Sequence, residues 1–296
     1  MMTASAQPAY GSPGIEVRVP PAHLASSIAE HAAYCLMLEV ETWPKPGLVS
    51  HVDCGSHSDM DAETFRASAA AIKPYFCDLA EAGARGCDMA RLRVIGLEAE
   101  AAMLAATRGV NTHRGAIFGL GLLCAAAGAR ANGGIPPAIS LGRIVRHLWG
   151  RDILSGPVLL HSHGEEVRRQ FGAGGARVEA AHGFPVIYEI GLSALQAASI
   201  KAPGDEEAQR VEVCFALIAA LEDTNVLHRG GLAGLQFARN AAREFLENGG
   251  ISQPGWRDHA RRVHEQFVAR RLSPGGAADL LAMTLFVEEL ERTTHR

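Results

Sequence analysis

The chain has 296 residues, of which 48% are hydrophobic, 20% charged and 6% aromatic, and its formal net charge is −4 at pH 7. This length and apolar content suit one large domain or two smaller ones, and they exclude a disordered chain. The slightly acidic balance provides no basic field for a long polyphosphate chain, so we exclude nucleic acid as a partner.

The first twenty residues contain three prolines and two glycines but no apolar run, so we expect a flexible tail over 1–20 and no signal peptide. Residues 21–296 are predicted to form a single helical domain. Apolar residues recur at helical spacing from about residue 21 to 42, where Trp43-Pro-Lys-Pro-Gly47 must end the helix because prolines cannot donate backbone hydrogen bonds.

Helical spacing predicts further helices at about 61–84, 88–107 and 112–128. The last of these is the most apolar segment, but its core of about a dozen residues is shorter than the roughly 20 needed to cross a bilayer. We therefore expect a buried helix and no membrane partner.

A Gly-Gly-Ile-Pro-Pro break at 133–137 precedes an amphipathic helix that runs to residue 149. Residues 177–178 and 184–188 are the only candidate strands, and neither is flanked by a hairpin turn. The sequence thus predicts an all-α fold, a multi-helix bundle of about ten helices. The remaining predicted helices cover 185–200, 205–222, 231–247, 255–270 and 274–292.

Four polar, glycine-rich segments interrupt the apolar helices, at positions where functional groups are exposed on a rigid frame. In the first segment, Pro44 and Pro46 fix the direction of the Lys45 ammonium, which suits a phosphate contact. Asp59 and Asp61 follow and suit a hard cation such as Mg²⁺. Alternatively, Lys45 is solvated and Asp61 only caps the next helix.

The second segment, 109–115, leads into the most apolar helix. A helix N-terminus has unpaired N–H groups and the positive end of the dipole, so His113 and Arg114 would complete a phosphate site. The alternative is a capped helix that carries two basic surface residues. His161-Ser-His163 suggests a metal site, but it lacks the i, i+4 spacing of a helical zinc site, and we expect a surface segment.

The third segment places Asp223, Asn225, His228 and Arg229 at one junction between helices. So many ionisable and polar groups are hard to explain by packing, because each must be hydrated or paired, and we favour a functional role. The fourth contains Ser273-Pro-Gly275, a helix start with an N-cap and a proline at the first position, which doubles as an anion site.

Together the motifs resemble the signature of the triphosphoribosyl-dephospho-CoA synthase family, in order and spacing from about residue 25 to 290. Segment 61–84 and the helix after Gly115 are closer to the malonate decarboxylase branch of the family than to the citrate lyase branch. Ser50 and His51 depart from an expected aspartate-arginine pair. The motifs are Pro44-Lys-Pro-Gly-Leu-Val49, Gly55-Ser-His-Ser-Asp-Met60, Gly109-Val-Asn-Thr-His-Arg-Gly115, Asp223-Thr-Asn-Val-Leu-His-Arg-Gly-Gly231 and Leu272-Ser-Pro-Gly-Gly-Ala-Ala-Asp-Leu-Leu281.

The resemblance implies a transferase that moves the 5-triphosphoribosyl group of ATP to the 2′-hydroxyl of 3′-dephospho-CoA and releases adenine. The economical mechanism is one inverting displacement at C1 through an oxocarbenium-like transition state. The product would be the prosthetic-group precursor of the malonate decarboxylase acyl carrier protein, handed to a prosthetic-group transferase. We expect Mg²⁺ with ATP, no organic cofactor and, since no Cys-x-x-Cys pair is present, a cytoplasmic protein.

The resemblance also suggests roles for residues of the four segments. Asp223, with Asn225, is the candidate general base or metal ligand, beside the candidate Mg²⁺ ligands Asp59 and Asp61. The reserve carboxylates are Glu41 and Glu179. Candidates for phosphate binding are Lys45, Arg114 and Arg229, candidates for the leaving base are His113, His57 and His228, and Ser273 and Gly275 complete the substrate site.

Two other functions are alternatives, and the first of them would use the same residues. A metal-dependent nucleotide hydrolase of all-helical type would pass the ribosyl or phosphoryl group to water, without an acceptor. A non-catalytic helical binding protein would need none of the polar junctions for chemistry.

Overall fold

Eleven α-helices form the part of the chain that this computed structural model describes, residues 22–157 and 175–292. No strand occurs in these residues, so the prediction of an all-α bundle is confirmed. In chain order the helices are α1 (Ala22–Val40), α2 (Ala62–Ala84), α3 (Met89–Ala106), α4 (Arg114–Ala129), α5 (Leu141–Ser155), α6 (Gly175–Ala181), α7 (Leu192–Lys201), α8 (Glu206–Ala220), α9 (Thr224–Glu247), α10 (Trp256–Ala269) and α11 (Gly275–Arg292).

Two details of the predicted helices are wrong. The candidate strand at 177–178 lies in α6, and the one at 184–188 forms a helical turn that runs into the π-helical segment Ile187–Gly191. Helix α9 begins at Thr224, not at 231, because Asp223 caps it, although Gly231 interrupts it with a φ of 58°. The predicted N-terminal tail and the His161-Ser-His163 segment lie outside the described residues.

Helix α4 is at the centre of the fold, because thirteen of its 16 residues are buried. Helix α2 packs against it at two glycines. A Cβ added to Gly83 would lie 1.9 Å from the carbonyl oxygen of Ala125, and one added to Gly128 would lie 1.9 Å from that of Ala80. Any side chain at these two positions would therefore push the two helices apart.

The segment Arg114–Gly134, formed by α4 and its π-helical continuation, is the one helix in the described ranges that is long and apolar enough to cross a membrane. Of its most apolar window, 72% is buried against other helices. Its apolar composition is thus accounted for by its place in the core, as the sequence predicted.

The loop between α1 and α2 is held against the C-terminal helices. Ser56 Oγ donates to the carbonyl oxygen of Leu272 at 2.6 Å, and His264 Nδ1 lies 2.6 Å from the carbonyl oxygen of Lys45. The other ring nitrogen of His264 lies 3.2 Å from Asp53 Oδ1. These contacts bring the segment around His57 to the start of α11.

Candidate functional site

One cavity of about 1200 Å³ lies where the N-termini of α4, α9 and α11 meet. Each N-terminus directs the positive end of a helix dipole at the cavity, and the sum favours an anion. The polar residues that line the cavity include Glu39, His57, Asp59, Arg93, Glu100, Asn111, Thr112, His113, Arg114, Arg177, Glu179, Glu222, Asp223, Thr224, Asn225, His228, Arg229, Ser273 and Asp279.

Asp223 joins two of these N-termini. Its Oδ1 accepts from the N–H groups of Asn225 at 2.8 Å and Val226 at 3.1 Å, and its Oδ2 accepts from the N–H of Ala277 at 3.0 Å. The Gly276 N–H also points at this carboxylate. Burial raises the pKa of Asp223, while the backbone donors lower it.

A carboxylate has about four lone-pair sites, and backbone donors occupy those of Asp223. We therefore correct its sequence-based role: Asp223 fixes the relative position of α9 and α11, and it has no site left for a metal ion or a substrate proton.

A second cluster lies at the start of α11. His57 Nε2 is 2.9 Å from Ser273 Oγ, and Arg229 Nη2 is 3.3 Å from His57 Nδ1. Since a guanidinium only donates, Nδ1 accepts and the ring proton lies on Nε2, which donates to Ser273. Burial, and then Arg229, lower the pKa of His57, while Asp59 raises it, with its Oδ1 3.6 Å from Nδ1.

Arg229 is held in place by its second terminal nitrogen, Nη1. Its Nη1 donates to the carbonyl oxygens of Ser56 and Arg271, both at 3.2 Å. The guanidinium thus bridges the loop before α2 and the loop before α11, and it lines the cavity between them. This position supports the predicted contact between Arg229 and an anion.

His113 precedes α4 and is 3% exposed, yet it lines the cavity. Thr112 Oγ1 donates to Ser68 Oγ at 2.7 Å, and Ser68 Oγ lies 2.7 Å from His113 Nδ1. Ser68 therefore donates its own proton to Nδ1, which places the ring proton of His113 on Nε2. No protein group in the described residues pairs with that nitrogen.

Burial and then the nearby Lys45 charge lower the pKa of His113 to about 3. The imidazole is consequently neutral near pH 7 and cannot act as the imidazolium acid that the sequence suggested for the leaving base. It is a neutral ring beside the cavity, and its Nε2–H is buried without a protein acceptor among the described residues.

Lys45 does not line the cavity. Its side chain is 0% exposed and pairs with Glu39 at the end of α1, and it is Glu39 that lines the cavity. The predicted phosphate contact of Lys45 is corrected accordingly: the prolines direct its ammonium inward, against a buried carboxylate. Glu39, which the sequence left without a role, is identified by its burial and by this ion pair.

Glu41 and Asp61 also lie away from the cavity. Glu41 follows the last residue of α1 and is exposed. Asp61 caps α2, where its Oδ1 accepts from the Thr64 N–H at 2.8 Å, and hydrogen bonds to Thr64 lower its pKa. Among the described residues, no group of three His, Cys, Asp or Glu side chains is arranged for a metal ion, so Asp59, Asp61 and Asp223 do not form a joint site.

The other predicted residues do face the cavity. Arg114 lines it and pairs through Nε with Glu100 Oε2 at 2.9 Å. His228 lines it from an exposed position on α9. A Cβ at Gly275 would come within 2.6 Å of Asn225 Nδ2, so this glycine leaves room for the Asn225 amide beside the start of α11.

Glu179, a reserve carboxylate, lines the cavity and accepts from the Val186 N–H at 2.7 Å. Burial raises its pKa.

Asp279 was missed as a functional residue although it lies within a quoted motif. The signal that could have identified it is an aspartate in the otherwise apolar first turns of α11. Its carboxylate lies on the cavity wall against α4.

The family described as ATP:dephospho-CoA triphosphoribosyl transferase matches residues 25–296. A protein of Azotobacter vinelandii named probable 2-(5''-triphosphoribosyl)-3'-dephosphocoenzyme-A synthase is 42% identical over 280 residues, which cover 92% of this chain and 94% of that protein. Proteins of the same name from Acinetobacter calcoaceticus and Stutzerimonas stutzeri are 36% and 41% identical, over 91% and 90% of this chain and 95% and 92% of their own. No solved structure matches the chain.

Proposed function

The chain belongs to the ATP:dephospho-CoA triphosphoribosyl transferase family and is thus a pentosyltransferase, and we propose that it moves the 5-triphosphoribosyl group of ATP to the 2′-hydroxyl of 3′-dephospho-CoA with release of adenine. The observation that carries the proposal is the convergence of three helix N-termini on one cavity. Such a convergence favours a polyanion such as a triphosphate, because three helix dipoles direct their positive ends at one place.

The size of the cavity supports two substrates. Its volume of about 1200 Å³ exceeds the roughly 300–1,000 Å³ that is usual for a site with one small ligand. A transfer between two nucleotide-like molecules requires both to be bound together, with the acceptor hydroxyl held close to C1 of the donor ribose.

The residues around the N-termini have distinct tasks in this proposal. Arg229 and Arg114 bind phosphate oxygens of ATP, and the neutral ring of His113 forms part of the cavity wall. Asp223 keeps α9 and α11 in the orientation that directs the positive ends of their dipoles at the triphosphate.

Mg²⁺ is proposed to enter with ATP. A magnesium ion usually keeps several waters and binds one or two carboxylates together with substrate phosphates, so no complete protein cage is needed. Asp59 is the predicted ligand that both lines the cavity and retains an exposed carboxylate, with 61% of its side-chain surface accessible. When bound, the ion would neutralise phosphate charge.

The product is proposed to supply the prosthetic group of a malonate decarboxylase acyl carrier protein, through hand-off to a prosthetic-group transferase in the cytoplasm. The support is the resemblance of segment 61–84 and of the helix after Gly115 to the malonate decarboxylase branch. Growth on malonate of a strain that lacks this chain, compared with growth on citrate, tests the branch.

The reaction itself is tested with purified protein, ATP, Mg²⁺ and 3′-dephospho-CoA, by chromatography of free adenine and mass spectrometry of the acceptor. We expect adenine release that depends on the acceptor, with the mass gain of one triphosphoribosyl group. Coenzyme A, which carries a 3′-phosphate beside the acceptor hydroxyl, is the matched control acceptor. Adenine or phosphate release without any acceptor would instead indicate a hydrolase, and no turnover would favour a binding protein.

A further inference from the structure

Asp279 is packed against the first turn of α4. A Cβ at Gly115 would lie 1.9 Å from Asp279 Oδ2, and the Ala116 N–H donates to the same carboxylate. The carboxyl group is therefore held by a backbone donor at the N-terminus of α4, and glycine is required at 115 for this approach.

The position of Asp279 separates two parts of the cavity. On one side lie the three N-termini. On the other, one turn along both helices, Met283 of α11 packs against Gly119 of α4, where an added Cβ would meet Met283 Cε at 2.4 Å and Phe184 Cε1 at 3.5 Å. Met283, Gly119 and Phe184 all line the cavity and give it an apolar part.

This order matches the layout of ATP. The triphosphate suits the N-termini, the flat purine suits the apolar part, and the ribose with its glycosidic bond then falls between them. Asp279 is the carboxyl group at this boundary.

The charges around Asp279 come from every element packed against it. Glu39 of α1 and Asp223 before α9 are acidic neighbours of Asp279, and Glu39 is itself paired with Lys45. His113 and Arg114 precede and flank Gly115 at the start of α4. Burial, then Glu39 and Asp223, raise the pKa of Asp279 well above its usual value, against the effect of the Ala116 N–H. The protonated carboxyl is favoured.

We propose that Asp279 is the general acid that protonates the departing adenine. The C1′–N9 bond breaks with its electron pair moving to the purine, and the proton of the Asp279 carboxyl passes to a purine ring nitrogen. The 2′-oxygen of the acceptor forms the new bond to C1′. Its hydroxyl proton reprotonates Asp279 through solvent, so the enzyme is restored without any other reactant.

The inference rests on the proposed function and is tested on the full chain with Asp279→Asn, which preserves shape but has no acidic proton. We expect kcat with ATP at pH 8 to fall by about 10²–10⁴-fold with little change in KM. The residual rate should rise steeply from pH 9 to pH 6, because adenine must then be protonated by solvent. The wild-type rate should lack this rise.

Gly115→Ala provides a second variant, since its Cβ displaces the Asp279 carboxyl, and it should show the same pH signature if the Asp279→Asn variant does not fold. Asp78→Asn, at an exposed aspartate of α2 that does not line the cavity, is the matched control. The role of Asp279 would be overturned by a wild-type kcat in both Asp279→Asn and Gly115→Ala, by a change in KM alone, or by a residual rate with the wild-type pH profile. Absence of acceptor-dependent adenine release by the wild-type protein would instead refute the proposed function.

Discussion

The Oδ2 atom of Asp223 accepts a hydrogen bond of 3.0 Å from the backbone N–H of Ala277, 54 residues further along the chain. The same carboxylate caps α9, so one side chain serves two helix N-termini. We expect Asp223→Ala to lower the free energy of unfolding by about 3 kcal/mol, because two caps are lost and buried N–H groups are left without acceptors. Urea denaturation measures the change.

Asp88→Ala is the control for this substitution. Asp88 caps α3 through one exposed hydrogen bond, from the Arg91 N–H at 3.0 Å, so its loss should cost about 1 kcal/mol. Asp223→Asn distinguishes the two roles considered for Asp223, since the amide N–H₂ that it introduces would face backbone donors. An Asp223→Asn enzyme that is as stable as wild type yet inactive would support the general-base role instead.

Because Lys45 and Glu39 form a buried ion pair, substitution of Lys45 should lower the stability of the protein and not only its affinity for ATP. We expect Lys45→Met to reduce the free energy of unfolding by about 4 kcal/mol, because Glu39 would remain buried without a partner. The double variant Lys45→Met/Glu39→Gln should recover at least half of this loss. Lys73→Met is the control, since its pair with Glu30 is exposed and its removal should cost less than about 1 kcal/mol.

His113 should make the protein sensitive to mild acid. The pKa of His113 is about 3 in the folded protein, whereas an unperturbed histidine in the unfolded chain has a pKa of 6.5. Between these two pH values the unfolded state binds a proton that the folded state does not, so the free energy of unfolding falls as the pH drops. Between pH 7 and pH 5 this group contributes a loss of about 2 kcal/mol. Urea denaturation of wild type and His113→Asn at both pH values measures it.

The substitution removes the titrating group but not the other acid-sensitive groups, so the comparison is between the two pH-dependent losses. His113→Asn should lose about 2 kcal/mol less than wild type. Equal losses would show that His113 is protonated in the folded protein or that its ring leaves the buried position.

Arg229 should contribute to substrate affinity through its geometry as well as its charge. We expect Arg229→Ala to raise the KM for ATP by about 10–100-fold, as for the loss of charge-assisted hydrogen bonds. Arg229→Lys should rescue little, because one ammonium cannot contact two carbonyl oxygens and His57 as the guanidinium does.

Steady-state kinetics with varied ATP, at saturating 3′-dephospho-CoA, measure the effect of these Arg229 variants. The control is Arg243→Ala, at an exposed arginine of α9 outside the cavity, which should leave KM unchanged. Full rescue by lysine would mean that a point charge suffices and that the bridge between the two loops is incidental.

The sequence by itself determined the fold class and the family. Helical periodicity and the prolines and glycines between helices act over a few residues, so they predicted helices such as α2, α4 and α11 to within a few positions. The five motifs indicated the triphosphoribosyl-dephospho-CoA synthase family, which the comparisons confirm. The capping role of Asp61 was also visible, as the alternative to a metal ligand.

Only the tertiary structure decided which polar side chains face the cavity. Glu39 and Glu41 are two residues apart, yet one is buried in the site and the other is exposed, because α1 ends between them. Lys45 and Asp223 had the residue types of a site, but both interact within the protein: Lys45 pairs with Glu39, and Asp223 accepts hydrogen bonds from the start of α11. Asp279 became prominent through Gly115, 164 positions earlier, since close packing of two helices depends on residues that no local pattern connects.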